Sequence, residues 1–162
     1  PDLVASLSLA DTSAGSAVAT TPEAIAEAVA LRAKPLLDGK TPTDIAPAIV
    51  AKIAGPGISA AARQRLLDSH AALHREAYLA ALGAVISFGD FPAWADIAVP
   101  ALVIVGEHDA IAPPAHARAM AAAMPDARLI EIPGAGHVSN IEAPAAFNNA
   151  LIGFLASLKV MA

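Results

Sequence analysis

The sequence predicts an α/β fold: a sheet of three parallel strands with flanking helices, interrupted by a block built only of helices. Two observations carry this. The first is the order of elements, strand, helical block, strand, helix, strand, helix, which is the alternation that builds parallel sheets through right-handed crossovers. The second is the run Val99-Pro100-Ala101-Leu102-Val103-Ile104-Val105-Gly106, continuously apolar rather than alternating, as a strand buried on both faces requires.

Each element has its own signal. Leu3 to Ala10 is apolar with two serines and is closed by Asp11-Thr12-Ser13-Ala14-Gly15, a short strand ending in a loop. Thr20-Thr21-Pro22-Glu23 supplies an N-cap, a first-turn proline and an acid at the positive helix end, opening a helix that stops by Asp38-Gly39. Thr41-Pro42-Thr43-Asp44 repeats the device, Gly55-Pro56-Gly57 stops the second helix, and Ser59 caps a third helical stretch, with room for one break, to about Ser87. Phe88-Gly89-Asp90-Phe91-Pro92 ends the block. After the apolar strand, residues 113–124 read as a helix with Pro113 or Pro114 in its first turn, Arg128 to Pro133 as the third strand, and Gly134-Ala135-Gly136-His137 as a loop. Glu142 to Leu158 reads as an amphipathic helix with Phe147, Leu151, Phe154 and Leu155 at helical spacing. The expected organisation is therefore residues 1–15 as core strand and loop, 16–90 as the helical block and 91–162 as the second part of the core.

Composition narrows the function. With 162 residues the chain is long enough to bury a core. Hydrophobic residues make up 56% and aromatics only 4%, so alanine and aliphatics carry the apolar content. Mean hydropathy is high at +0.57, yet no uninterrupted apolar stretch approaches the roughly 18 residues that cross a bilayer. Pro1-Asp2-Leu3-Val4 lacks the basic start of a signal peptide, so a cytoplasmic location is expected. The absence of cysteine excludes disulfides, thiolate metal sites and a cysteine nucleophile. A net charge of −5 with scattered basic residues gives no footprint for nucleic acid or an anionic membrane, which leaves small molecules as the expected partners.

Two residues carry chemistry. Asp109 sits three residues past the apolar strand, in Gly106-Glu107-His108-Asp109, and His137 sits in the loop after the next strand. In open α/β sheets such loops lie at the carboxyl ends of the strands, where sites are built, and one helix-strand unit apart they are neighbours. A carboxylate that orients an imidazole while the other ring nitrogen takes a proton from a nucleophile is a well-defined use of the pair.

On these residues the sequence resembles the α/β-hydrolase superfamily. Pro100 to Asp109 with Pro113, and Pro133-Gly134-Ala135-Gly136-His137 with Glu142, Pro144 and Phe147, look like its last two strand-loop units. They are most similar to capped members such as 3-oxoadipate enol-lactonases and small esterases. Leu3 to Ala14 resembles the strand and loop that enter the helical cap, and residues 16–90 resemble the cap. The resemblance implies that Asp109 and His137 are the acid and the histidine of a catalytic triad acting on a small ester or lactone, with no cofactor.

The departure is equally informative. The superfamily's nucleophile stands on a G-x-S-x-G elbow upstream of the acid, and no such pentapeptide exists here: Ser16 lies in Ala14-Gly15-Ser16-Ala17-Val18, and the other serines lack the flanking glycines. The expectation is a C-terminal portion of the fold, inactive alone, whose nucleophile comes from a missing N-terminal segment or companion polypeptide. The alternative is a non-catalytic module whose incomplete sheet binds another chain.

Other readings stay open at this stage. Asp109 could instead cap the helix at Pro113, Asp11 is a rival acid, and His137 could cap the final helix. His70 and His74, spaced i, i+4, are expected on an exposed helical face rather than at a metal, and His108 and His116 on the surface. Trp94 either lines a substrate pocket or packs between cap and core, and Val138 would face the pocket beside a catalytic His137.

Overall fold

The computed structural model describes residues 3–13, 21–86 and 93–158. In chain order the elements are β1 (Leu7–Ala10), α1 (Pro22–Leu37), α2 (Pro42–Ile53), α3 (Ala60–Ala71), α4 (Arg75–Ile86), a 3-10 turn (Trp94–Asp96), β2 (Ala101–Gly106), α5 (Pro114–Ala123), β3 (Ala127–Ile132), α6 (Ser139–Glu142) and α7 (Pro144–Ser157). They form two compact units: Pro1–Ser13 with Ile53–Ser59 and Pro92–Ala162, and Ala14–Lys52 with Ala60–Phe91. The segment Ile53–Ser59, expected inside the helical block, thus belongs to the sheet-bearing unit. The expected break at Phe88–Pro92 and Ser16 lie outside the described residues.

The sheet has the order β1-β2-β3 with both pairings parallel. Every residue of β2 is buried, because each of its faces is covered. Ala101, Val103 and Val105 pack with Ala117 and Met120 of α5 and with Met124; Leu102 and Ile104 pack with Ile132 and with Phe154 of α7. Flanked on both sides in the sheet and on both faces by helices, β2 has no polar side to show, which is why its sequence does not alternate.

β1 is shorter than the apolar run suggested. Leu7 pairs with Ala101, and the Leu7 amide donates to Pro100 O at 3.0 Å. Pairing stops there: β2 begins after Pro100, which has no N–H to continue the ladder, and Leu3 is fully exposed. The last helix is divided for a related reason. Pro144 opens α7, and Ala143 before it takes φ −133 and ψ 61, since a residue preceding proline is driven out of the helical region. Phe154 is buried, with Phe147 and Leu151 half-buried against its cluster, whereas Leu155 faces outward at 49% exposure.

The helical unit follows its capping signals. Thr21 Oγ1 accepts from Ala24 N at 3.2 Å at the head of α1. Thr41 and Asp44 cap α2 reciprocally, Thr41 N donating to Asp44 Oδ2 at 2.8 Å and Asp44 N to Thr41 Oγ1 at 3.3 Å. Arg75 at the start of α4 donates from Nε and Nη2 to Leu36 O, at 3.2 and 3.0 Å, satisfying a carbonyl at the end of α1. Leu36, Val50 and Leu66 are its largest buried side chains. No described helix is long and apolar enough to cross a membrane.

Candidate active site

The site is built where β2 and β3 end. Gly106 closes β2 against the loop that follows β3, and the approach is so tight that a Cβ there would overlap Gly136 O and stand 2.6 Å from Ala135 O. His108 N donates to Ala135 O at 2.8 Å and Glu107 N to Ile132 O at 3.0 Å, so the two loops are laced by their backbones. Glu107 Oε2 accepts from Gly134 N at 2.9 Å, and Gly134 takes φ +73, a conformation glycine adopts without cost.

Lacing the loops brings Asp109 to His137. Asp109 Oδ2 lies 2.9 Å from His137 Nδ1, with the aspartate side chain fully buried and the imidazole 28% exposed. Oδ1 accepts from Ile111 N and Ala112 N, each at 2.8 Å. Asp109 does not cap α5, whose N-cap is Pro113 with no side-chain bond; one of its oxygens closes the turn at Ile111 and Ala112 ahead of the helix, and the other meets the histidine. A buried carboxylate without such partners costs several kcal/mol, and here three donors offset that cost. Burial pushes the Asp109 carboxyl upward, but the His137 hydrogen bond and charge and the Ala112 and Ile111 amides outweigh it, holding it below its ordinary value. Ionised, it can only accept, so Nδ1 is the donor. The same hydrogen bond raises His137 above its ordinary value, opposed by burial and helped by the charges of Asp109 and Asp11. An imidazole held in this way presents Nε2 as its free base position, suited to taking a proton from a hydroxyl.

Two further carboxylates hold the His137 loop. Glu142 Oε1 accepts from Gly136 N at 2.9 Å and Oε2 from Gly55 N at 2.7 Å, while His137 N donates to Ile53 O at 2.7 Å. Gly55 and Gly136 make this contact possible, because a Cβ on Gly55 would stand 2.6 Å from Gly136 N. Asp11 does not bind His137. Its Oδ1 accepts from Gly106 N at 3.1 Å and its Oδ2 from Ser139 N and Oγ at 2.9 and 2.7 Å. Sequence reasoning missed these braces. As helix stops Gly55 and Gly57 are fully explained locally, and Glu142 is explained as opening the last helix, so nothing local in the sequence points to a close backbone approach. Glu142→Gln should place an NH2 against one of the two amides. The expected result is a loss of about 1–3 kcal/mol in denaturant unfolding, with faster hydrogen exchange at Gly55 and Gly136; unchanged exchange at both would remove Glu142 as a brace.

The side chains of the other residues singled out in the sequence take no part in the Asp109–His137 contact. Trp94 packs, half-buried, against the cluster of Val103, Ala117 and Met120. Val138 is half-buried beside His137, and its carbonyl accepts from Ile141 N and Glu142 N as α6 begins. His70 and His74 do not share a helix face, because α3 ends at Ala71 and His74 stands in the break before α4; His70 Nδ1 is 2.9 Å from Leu66 O. His108 is exposed near Glu107, and His116 is half-buried on α5. Among the described residues no three His, Cys, Asp or Glu side chains gather as a metal site.

Known proteins share this arrangement of strands and helices. A 68-residue stretch is 44% identical to a Mycobacterium tuberculosis protein provisionally assigned as a non-heme bromoperoxidase, covering 42% of this chain and 26% of that one. A thermophilic esterase from Thermogutta terrifontis superposes with a TM-score of 0.81 at 26% identity, over 95% of this chain and 56% of the esterase. The enol-lactonase from Burkholderia xenovorans LB400 superposes with a TM-score of 0.75 at 28% identity, over 96% of this chain and 57% of the lactonase. The matched stretch thus covers about a quarter of the curated relative, and the chain spans little more than half of each structure. The sequence profile of the alpha/beta hydrolase family matches residues 12–150. With most of its length inside that profile, the chain belongs to the alpha/beta hydrolase family.

Proposed function

We propose that Asp109 and His137 are the acid and the general base of a serine hydrolase site that acts on small esters or lactones, the serine being supplied by a segment outside this chain. The observation that carries the reading is the 2.9 Å contact between His137 Nδ1 and the buried Asp109 carboxylate. The esterase and enol-lactonase among the similar structures support the substrate class. In the proposed reaction Nε2 takes the serine proton as Oγ bonds to the acyl carbon, then returns it to the departing alkoxide. Water repeats the sequence on the acyl-enzyme and releases the acid.

A second reading, in which the chain binds another polypeptide without catalysis, is favoured by β1 pairing with β2 alone among the described residues. A fluorophosphonate probe with peptide mapping separates the two. In protein carrying this chain together with a G-x-S-x-G segment, the catalytic reading expects one labelled serine, on that segment, with labelling lost in His137→Ala. Labelling of a serine within this chain would overturn the assignment of the nucleophile, and no labelling would favour the binding module.

The pair also sets a pH dependence. His137, raised above 6.5, contributes stability that is fully present below that value and lost as pH rises through the raised one. Asp109, lowered below 3.8, contributes stability present above that value and lost as pH falls through the lowered one. Asp11, raised by burial, runs the other way and costs stability above its own value. The Tm deficit of His137→Gln should therefore be largest between pH 3.8 and 6.5 and shrink above it; a deficit that grows toward alkaline pH would contradict the pairing.

A further inference from the structure

We propose that Asp11 is a positioning residue that sets the Asp109 and His137 loops against each other and shares in holding the charged imidazole. The inference rests on the reading of Asp109 and His137 as acid and base. Its basis is geometric. One carboxylate spans both loops: Oδ1 takes the amide of Gly106, where the Asp109 loop begins, and Oδ2 takes both the amide and the hydroxyl of Ser139, two residues after His137. Ser139 is completely buried, so its hydroxyl has been removed from water to make the 2.7 Å bond. Asp11 N is itself fixed, donating to Ile104 O at 2.9 Å, and the residue takes φ 46, the only positive value outside glycine among the described residues. Such a conformation persists where surrounding bonds over-determine it, and aspartate is among the few residues that tolerate it.

Three donors converge on Asp11, which fits the ionised carboxylate, although burial holds its carboxyl above the ordinary range. The ionised groups acting on His137 are then Asp109, bonded to Nδ1 from the β2 loop, and Asp11 at the end of β1, through its charge; Glu142 of α6 is engaged with the Gly136 and Gly55 amides. Glu107 of the β2 loop is engaged with Gly134 N, and Ile53–Ser59 brings no charged side chain. Asp11 therefore adds a second negative charge that favours the imidazolium without occupying the ring nitrogen that Asp109 holds.

The test is the titration of the His137 ring by NMR, its resonance assigned by its loss in His137→Gln. Asp11→Asn should lower the midpoint by about half a pH unit and speed amide exchange at Gly106 and Ser139 by about tenfold. Ser139→Ala, which deletes one of the three bonds, should move both in the same directions by less, and it decides the matter if Asp11→Asn does not fold. A role confined to holding the backbone would speed exchange without moving the midpoint, and that result overturns the inference. Asp109→Asn is the control: if it leaves the midpoint unmoved, the acid-base pairing fails, whereas a shift in Asp109→Asn with none in Asp11→Asn or Ser139→Ala defeats only the present proposal.

Discussion

Replacing His137 with alanine, in protein that carries both this chain and a nucleophile elbow, should lower kcat for a short-chain activated ester by about 10⁵-fold or more. Without Nε2 the serine keeps its proton and the leaving group receives none, so both halves of the proposed reaction fail. Asp109→Asn is expected to cost about 10⁴-fold. The amide side chain fits the same space but presents no anion to Nδ1–H, so the ring loses its reason to hold the tautomer with Nε2 free. Because the two residues act as one unit, the double variant should be little worse than His137→Ala alone. Steady-state kinetics of the three proteins checks this. Additive losses would mean that Asp109 and His137 work independently, and the 2.9 Å contact would then have no bearing on turnover.

Gly106→Ala is expected to cost about 3 kcal/mol of folding stability. The added methyl would run into the carbonyls of Gly136 and Ala135, which are backbone atoms of the His137 loop and cannot rotate aside as a side chain can. Relief requires the two loops to part, which also breaks the bond from His108 N to Ala135 O and the one from Gly106 N to Asp11. Such a loss is a large share of the roughly 5–15 kcal/mol that keeps a domain folded. Denaturant unfolding reads it directly, with the Asp109–His137 contact expected to loosen in parallel. Wild-type stability in Gly106→Ala would show that the loops are not held at this spacing.

How far the fold was legible follows from which forces act locally. β2 could be read to within the two residues Val99 and Pro100 at its start, because burial on both faces leaves one sequence solution, a continuous apolar run. β1 could not, since its start is set by Pro100, which stands just before β2 and far from Leu7 in sequence order. The division between α6 and α7 was available in principle from Pro144, but the apolar spacing of Phe147, Leu151 and Phe154 drew the helix back to Glu142. The same holds for the site. Asp109 and His137 were visible because each stands in a loop immediately after a strand, and the sheet alone makes those loops neighbours. Asp11 was visible as a carboxylate but not as a bracket on Gly106 and Ser139, and the return of Ile53–Ser59 to the His137 loop left no mark beyond glycines that a helix stop already explained. What sequence reasoning lost are contacts between backbone amides and distant carboxylates, which carry no periodicity.

The central claim is that Asp109 holds His137 in the tautomer that leaves Nε2 as the base. Long-range ¹H–¹⁵N NMR of the histidine ring above its titration midpoint measures this. The account predicts a protonated Nδ1 and an unprotonated Nε2, with a midpoint above 6.5 and both features lost in Asp109→Asn. A ring protonated at Nε2, or one indifferent to the Asp109 substitution, would contradict it.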